Sequence, residues 1–437
     1  MKRYIPVLMF AMVAMTMVVV SSCSKSDEES ETDEVFPEVK REDPQSYDVK
    51  IDGVFYVLVS KAQVALVSGG DTYYAGHINI PSTIKHEGVQ YTVTAIAHGA
   101  FSCCRNLLSV TIPNSVKDIG EDTFHECTRL RKLILPEELD ILPSAMCFAC
   151  SELSEVKWPS RLRKIGNVAF WECVSLVSVS LPEGLEEIES NAFSYCNSLT
   201  LVELPQSLRI LRSSVFNGCQ NLTAVRLPDH LVDIPSTCFI NCTKLSEISL
   251  PEGIDAIGND AFAGCESLTR LTIPNTVKHI DHNAFHGCAF TSIVIPESVT
   301  QLGTAVLSGC SQLKSVTMPK LREIAEATFK DCTGLEEFVV EDGVSTIRPY
   351  AFEGCTNLRS VSLPSSLSYI DYDAFKDCKS LEAVYYNRKA LPKISPWSDI
   401  FRGSYIGYAT LHVPASAIEK FRQTKPWSEF GSIVALP

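Results

Sequence analysis

The chain has 437 residues, a formal net charge of −14 and 45% apolar side chains. The acidic balance disfavours a nucleic-acid role, and no basic stripe with interleaved aromatics offsets it. Apolar content is ample for a buried core, and the 17 cysteines raise the questions of compartment and pairing.

In chain order, Lys2 and Arg3 form a positive start and Ile5 to Val20 are almost all apolar. This run is short for a membrane span and reads as a signal peptide over residues 1–22. It ends in Val20-Ser21-Ser22-Cys23, which resembles the bacterial lipobox, with Val20 where the commonest form has Leu. The resemblance implies that Cys23 is the lipid-attachment residue. The alternative is an ordinary cleaved signal with an incidental cysteine. Residues 23–45 are expected to form an acidic, disordered tether. Asp27, Glu28 and Glu29 resemble the acidic export signal of Bacteroidetes lipoproteins. That resemblance implies a lipid-anchored outer-membrane protein facing the cell exterior, touching the membrane only through its lipid.

Residues 46–95 are expected to form an N-terminal β cap. Val49 to Val57 reads as a hairpin with an Asp52-Gly53 turn, and Ile78 to Ile80 with Tyr91 to Ile96 reads as a stretched first repeat. Residues 96–385 then repeat. Ala169-Phe170-Trp171-Glu172-Cys173, Ala192-Phe193-Ser194-Tyr195-Cys196 and Ala261-Phe262-Ala263-Gly264-Cys265 share one pattern. The cysteines from Cys104 to Cys378 recur every 23 residues, with two steps of 22. A period in the twenties means a solenoid. In the unit starting at Leu268, Leu271 and Ile273 alternate as in a short strand and Pro274 ends it. Val277 and Ile280 suit a tight or single helical turn, and Phe285 and Cys288 close the unit. One unit cannot fold alone. Burying about seven apolar side chains yields roughly 10–20 kcal/mol, whereas ordering its backbone costs about 1–2 kcal/mol per residue. Stacked neighbours must supply the rest, and both ends need caps. Residues 386–437 are expected to be the C-terminal cap, with a strand at Ala409–Pro414, a helix over Ala415–Lys425, and Trp427 and Phe430 sealing the end.

The expected fold is an α/β-type repeat solenoid. It is a leucine-rich repeat with a parallel β-sheet on one face and about 13 repeats of 22–23 residues. Cysteines on adjacent parallel strands lie about 4.8 Å apart, too far for the ~3.8 Å Cβ spacing of a disulfide. We read them as buried thiols acting as small hydrophobes. The C-x-x-C pair Cys147/Cys150 reads the same way, for want of a thioredoxin-like context.

The string Leu181-Pro182-Glu-Gly-Leu185-Glu-Glu-Ile188-Glu-Ser-Asn-Ala192-Phe193-Ser-Tyr-Cys196-Asn-Ser-Leu199 resembles the BspA-like leucine-rich repeat proteins, and the likeness covers residues 46–437. It implies the fold, and for some members a surface adhesin that binds host extracellular matrix or other cells. No ligand-binding residue set carries over to this chain.

The expected function is therefore a surface-anchored, non-catalytic, adhesin-like protein that presents its repeats to a protein or glycan ligand. Outward positions beside the central apolar residue of each strand form the candidate surface: Lys132, Glu155, Lys157, Glu203, Arg226, Glu247, Arg270 and Glu337. These charges are otherwise solvated pairs across neighbouring strands, each contributing little. A glycan-capturing accessory lipoprotein is the alternative, and it requires exposed aromatics on one face. An enzyme is the remaining class, with no phosphate loop and no nucleophile–base pair to support it. Only His279, Asp281, His282, His286 and Cys288 have the residue types of a zinc site, and they fall in variable slots. No cofactor is expected.

Overall fold

The computed structural model describes residue 36, residues 38–395 and residues 399–437. The signal peptide, Cys23 and the acidic residues after it lie outside the described residues.

Two ladders of short parallel strands run along the chain. The first begins at Ala75–Asn79, which pairs with Asn106–Thr111, and continues through Lys132–Ile134 to Glu155–Lys157. It resumes at Leu201–Glu203 and again further on, and it ends at Ser432–Ala435 beside Thr410–Val413. Many of these strands stop where a proline two residues on removes a backbone donor, as Pro136 does after Lys132–Ile134 and Pro296 after Ser292–Val294. The second ladder consists of two-residue strands such as Lys164–Ile165, Glu187–Ile188 and Ile210–Leu211. It passes through His279–Ile280, so the segment after Val277, expected to be a tight turn or a single helical turn, is extended.

The first ladder was expected to carry a strand in every unit. It lapses around residue 178, where a single bridge joins Ser178 to Leu201, and again at residues 270–273. The second ladder is paired across both gaps, over Ile141–Leu142 to Ile210–Leu211 and over Asp233–Ile234 to Gln301–Leu302. Conversely, the gap in the second ladder after Leu211 is covered by the pairing of Leu201–Glu203 with Ala224–Arg226. Staggered breaks of this kind leave no level of the stack without paired strands.

The turns are knitted as well. Phe262 donates its amide to Ala284 O at 2.9 Å and Gly264 to His286 O at 2.7 Å, one unit ahead. An amide spent on the next unit is not available to a carbonyl four residues back. This is why the units contain turns and not helices; among the described residues the α-helix is Ile418–Arg422, in the C-terminal cap. Positive φ recurs at the residue before each closing cysteine, as at Glu126, Ala149, Glu172, Tyr195 and Asn241. Many units place Gly there, the residue for which that conformation carries no penalty.

The core has two axial columns. Phe193, Phe216, Phe239, Phe262 and Phe285 are fully buried, with successive rings stacked at 5.5–5.9 Å. Cys147 and Leu307 fill the ring slot in two units and are equally buried, so the stack runs through them. The second column is the cysteines. All 16 described cysteines are free thiols. Most ladder thiols donate to the carbonyl of the preceding unit's ring-slot residue, as Cys196 does to Phe170 O at 3.2 Å and Cys265 to Phe239 O at 3.2 Å. The reading as small hydrophobes is therefore incomplete, because the thiol also satisfies a buried carbonyl. Burial drives these thiols up, Cys219 and Cys378 to about 12. Cys147 and Cys150 are both fully buried, and burial raises Cys147 well above an ordinary thiol.

At the start, Val49–Ile51 and Val54–Val59 form the expected hairpin, with Asp52 and Gly53 both at positive φ. The tether was expected to reach residue 45, but it is docked from Glu38 onward. Arg41 donates to Ala100 O at 3.1 Å, Gln45 donates to His98 O at 3.2 Å, and Tyr73 N donates to Val39 O at 2.8 Å. Long side chains that reach backbone carbonyls left free at the first unit hold this stretch down. At the far end the ladder continues past residue 385 into the cap, and Trp427 is fully buried among Tyr386, Phe401, Phe421 and Phe430. Trp427 and Phe430 are thus the end seal and not a ligand platform.

Candidate binding surface

In each paired strand the central residue is turned into the core and its two neighbours outward, as with exposed Lys132 and buried Leu133. Register places equivalent outward residues side by side: Lys132 beside Glu155, and Glu203 beside Arg226. All eight candidate residues are exposed.

Pairing divides them. Lys132 and Glu155 form an ion pair at 2.7 Å, Arg226 and Glu203 one at 2.9 Å, and Lys157 reaches Glu137 at 2.9 Å. Exposed pairs of this kind contribute about 0–1 kcal/mol each. Among the described residues, Glu247, Arg270 and Glu337 have no ion-pair partner, and their charges face solvent alone.

The sequence reading also missed apolar members of this face. Leu201 is 43% exposed, Val294 59% and Val339 64%. They occupy the same outward slots as the charges. Their signal in the sequence is the same alternation about a central buried residue that marks the charged positions. From Ser292–Val294 onward the outward residues are mostly Ser, Thr and Val, with Glu337 the single charge up to Val339. The face thus has a charged half and a nearly neutral half.

A depression of about 630 Å3 opens on the charged half. Ala224 forms its floor between Leu201 and Glu247, which occupy the equivalent slots of the units before and after. Asp229, Leu250 and Pro251 from the following turns make its wall.

Other candidates do not assemble. Among the described residues, no group of three His, Cys, Asp or Glu side chains is placed to hold a metal ion. His282 accepts the Thr304 amide at Nδ1, at 3.0 Å, and Cys288 donates to Phe262 O. On the turn edge, His125, Phe148 and Trp171 form an aromatic row, stacked at 4.8 and 6.1 Å with planes within 10°. Their parallel planes turn the rings of this row face to face. On the strand face, Tyr385 stacks on His412 at 4.4 Å.

Stacked parallel strands, a ladder of buried leucines and one outward strand face per unit define a leucine-rich repeat scaffold. The chain belongs to the BspA-type leucine-rich repeat family, whose model matches residues 79–200, 163–289 and 278–404 in six copies. A leucine-rich repeat protein from Bacteroides ovatus, solved by crystallography, is similar at 28% identity and a TM-score of 0.80, over 90% of this chain and 100% of that one. A leucine-rich cell surface protein from Faecalibacterium prausnitzii is similar at 25% identity and a TM-score of 0.50, over 78% of this chain and 95% of its own. No curated protein matches the chain.

Proposed function

We propose that this chain is a surface-anchored, non-catalytic binding protein, adhesin-like in that the strand face of its solenoid docks another protein. One observation carries this reading. Outward strand positions hold the unpaired charges Glu247 and Glu337 together with exposed Leu201, Val294 and Val339, and exposed Arg270 occupies the equivalent place in the unit where the strand lapses. None of these is required by the core, and interfaces combine apolar anchors with a polar surround. The matching family is built on a general protein-binding scaffold. The surface location rests on Cys23 and its acidic neighbours, and the Faecalibacterium relative is itself described as a cell surface protein. Host extracellular matrix proteins are the first partners to try. A glycan ligand is less well served, because the strand-face Tyr385 is already stacked on His412 at 4.4 Å.

The test is a binding panel of matrix proteins and a glycan array, probed with the purified full chain. Saturable binding to a protein, weakened by a Glu247→Lys/Glu337→Lys double variant, supports the proposal. Binding confined to glycans, or none at all, counts against it. For location, Cys23→Ser should move the protein from the membrane to the soluble fraction, and retention in the membrane refutes the lipid anchor.

A further inference from the structure

We infer that the depression between Leu201 and Pro251 takes a lysine or arginine side chain from an extended segment of the partner protein. This rests on the proposed strand-face reading and specifies its occupant. At about 630 Å3 the depression falls within the roughly 300–1,000 Å3 range of ligand clefts. It exists because Ala224 is small where the flanking slots hold Leu201 and Glu247. The exposed Leu201 and the wall of Leu250 and Pro251 suit the aliphatic stem of a long side chain.

Charge selects the head group. Arg226 also borders the depression, but its guanidinium is held by Glu203 at 2.9 Å. Glu247 and Asp229 border it as well, and among the described residues neither has an ion-pair partner. With its one cation already neutralised, the depression carries two uncompensated carboxylates. A cation seated there gains both, and an anion meets both as like charges.

Geometry sets the spacing. Leu201, Ala224 and Glu247 lie on three consecutive strands, so Leu201 and Glu247 are about 10 Å apart. An extended segment advances about 3.3 Å per residue and turns alternate side chains to opposite faces. An apolar residue two positions from the basic one, about 6.6 Å away, therefore faces the same surface, and the long basic side chain covers the remaining distance.

The probe is therefore acetyl-Leu-Ser-Lys-amide, with acetyl-Leu-Ser-Glu-amide as its opposite, titrated against the full chain by ligand-observed saturation-transfer NMR. The lysine peptide should bind and the glutamate peptide should not. Glu247→Gln and Asp229→Asn should each weaken the lysine peptide by about two- to fivefold, with the effect shrinking in high salt. Ala224→Trp should fill the depression and abolish binding, with an unchanged thermal midpoint showing that the chain still folds. Equal binding of the two peptides, or lysine-peptide binding that survives Ala224→Trp, overturns the inference. If neither peptide binds but a partner protein still loses affinity on Glu247→Lys/Glu337→Lys, this occupant is wrong and the strand-face reading stands.

Discussion

Replacing Phe262 by Ala removes one ring from the middle of the axial column. The side chain is fully buried, with Phe239 at 5.5 Å on one side and Phe285 at 5.9 Å on the other. A buried Phe→Ala change costs about 3–5 kcal/mol through lost transfer energy and the cavity left behind. Each stacked pair adds about 0.5–1.5 kcal/mol beyond burial, and two pairs are lost, so the upper part of that range is expected. In a solenoid the loss falls on the two interfaces beside the ring. The amides of Asn241, Phe262 and Gly264 bond to carbonyls one unit ahead, so they report directly on those interfaces. Native-state hydrogen exchange should show their protection falling before that of remote amides such as Cys147 or Phe352. Phe262→Leu, which copies the natural filling at Leu307, should show the same pattern at smaller amplitude. Unchanged protection at these three amides, or an equal drop at every amide, would refute the nearest-neighbour account.

Three further outcomes follow from the same contacts. Burial lifts the thiols of Cys104, Cys219, Cys310 and Cys378 to about 12, whereas an unfolded thiol titrates near 8.5. Stability from these groups is complete below about pH 8.5 and is lost as pH rises towards 12, at about 1.4 kcal/mol per pH unit per thiol. Denaturant titrations at pH 8 and pH 10 should show the drop and Cys219→Ala should lessen it; equal stability at the two pH values would contradict the buried-thiol ladder. A Cβ at Gly218 would lie 2.6 Å from the Tyr195 ring, at a φ of +71°, so Gly218→Ala should destabilise by about 1–2 kcal/mol. Adding Tyr195→Ala should recover only the steric part in thermal melts. The exposed Glu203–Arg226 pair should show a coupling below about 1 kcal/mol in a double-mutant cycle, and a larger value would mean that the pair is a structural clasp.

The repeat was legible because core slots admit few residues. Leu, Phe and Cys at fixed offsets left one way to stack, and the hairpin at Asp52-Gly53 and the seal at Trp427 were readable from local chemistry. The second ladder was not, because a two-residue strand such as His279–Ile280 has no alternation to detect. Nor was the docking of residues 38–45, because Arg41 and Gln45 are ordinary surface residues until Ala100 and His98 present their carbonyls. The surface was half legible. Charges at Glu247 and Arg270 could be named, but which charges pair depends on register and side-chain reach. The depression at Ala224 depends on the size of residues one unit away on each side.

Tryptophan substitution, one position at a time, tests the strand-face claim most directly. Outward strand residues Ala224, Ser315 and Ser360 are changed in one set, and turn-edge residues Asn217, Ile240 and His286 in another. Each variant is titrated against the protein partner found in the panel. The account predicts that affinity falls at least tenfold, about 1.4 kcal/mol, for one or more strand positions and stays within about twofold for the turn set. Loss confined to the turn set, or full affinity in all three strand variants, would contradict it.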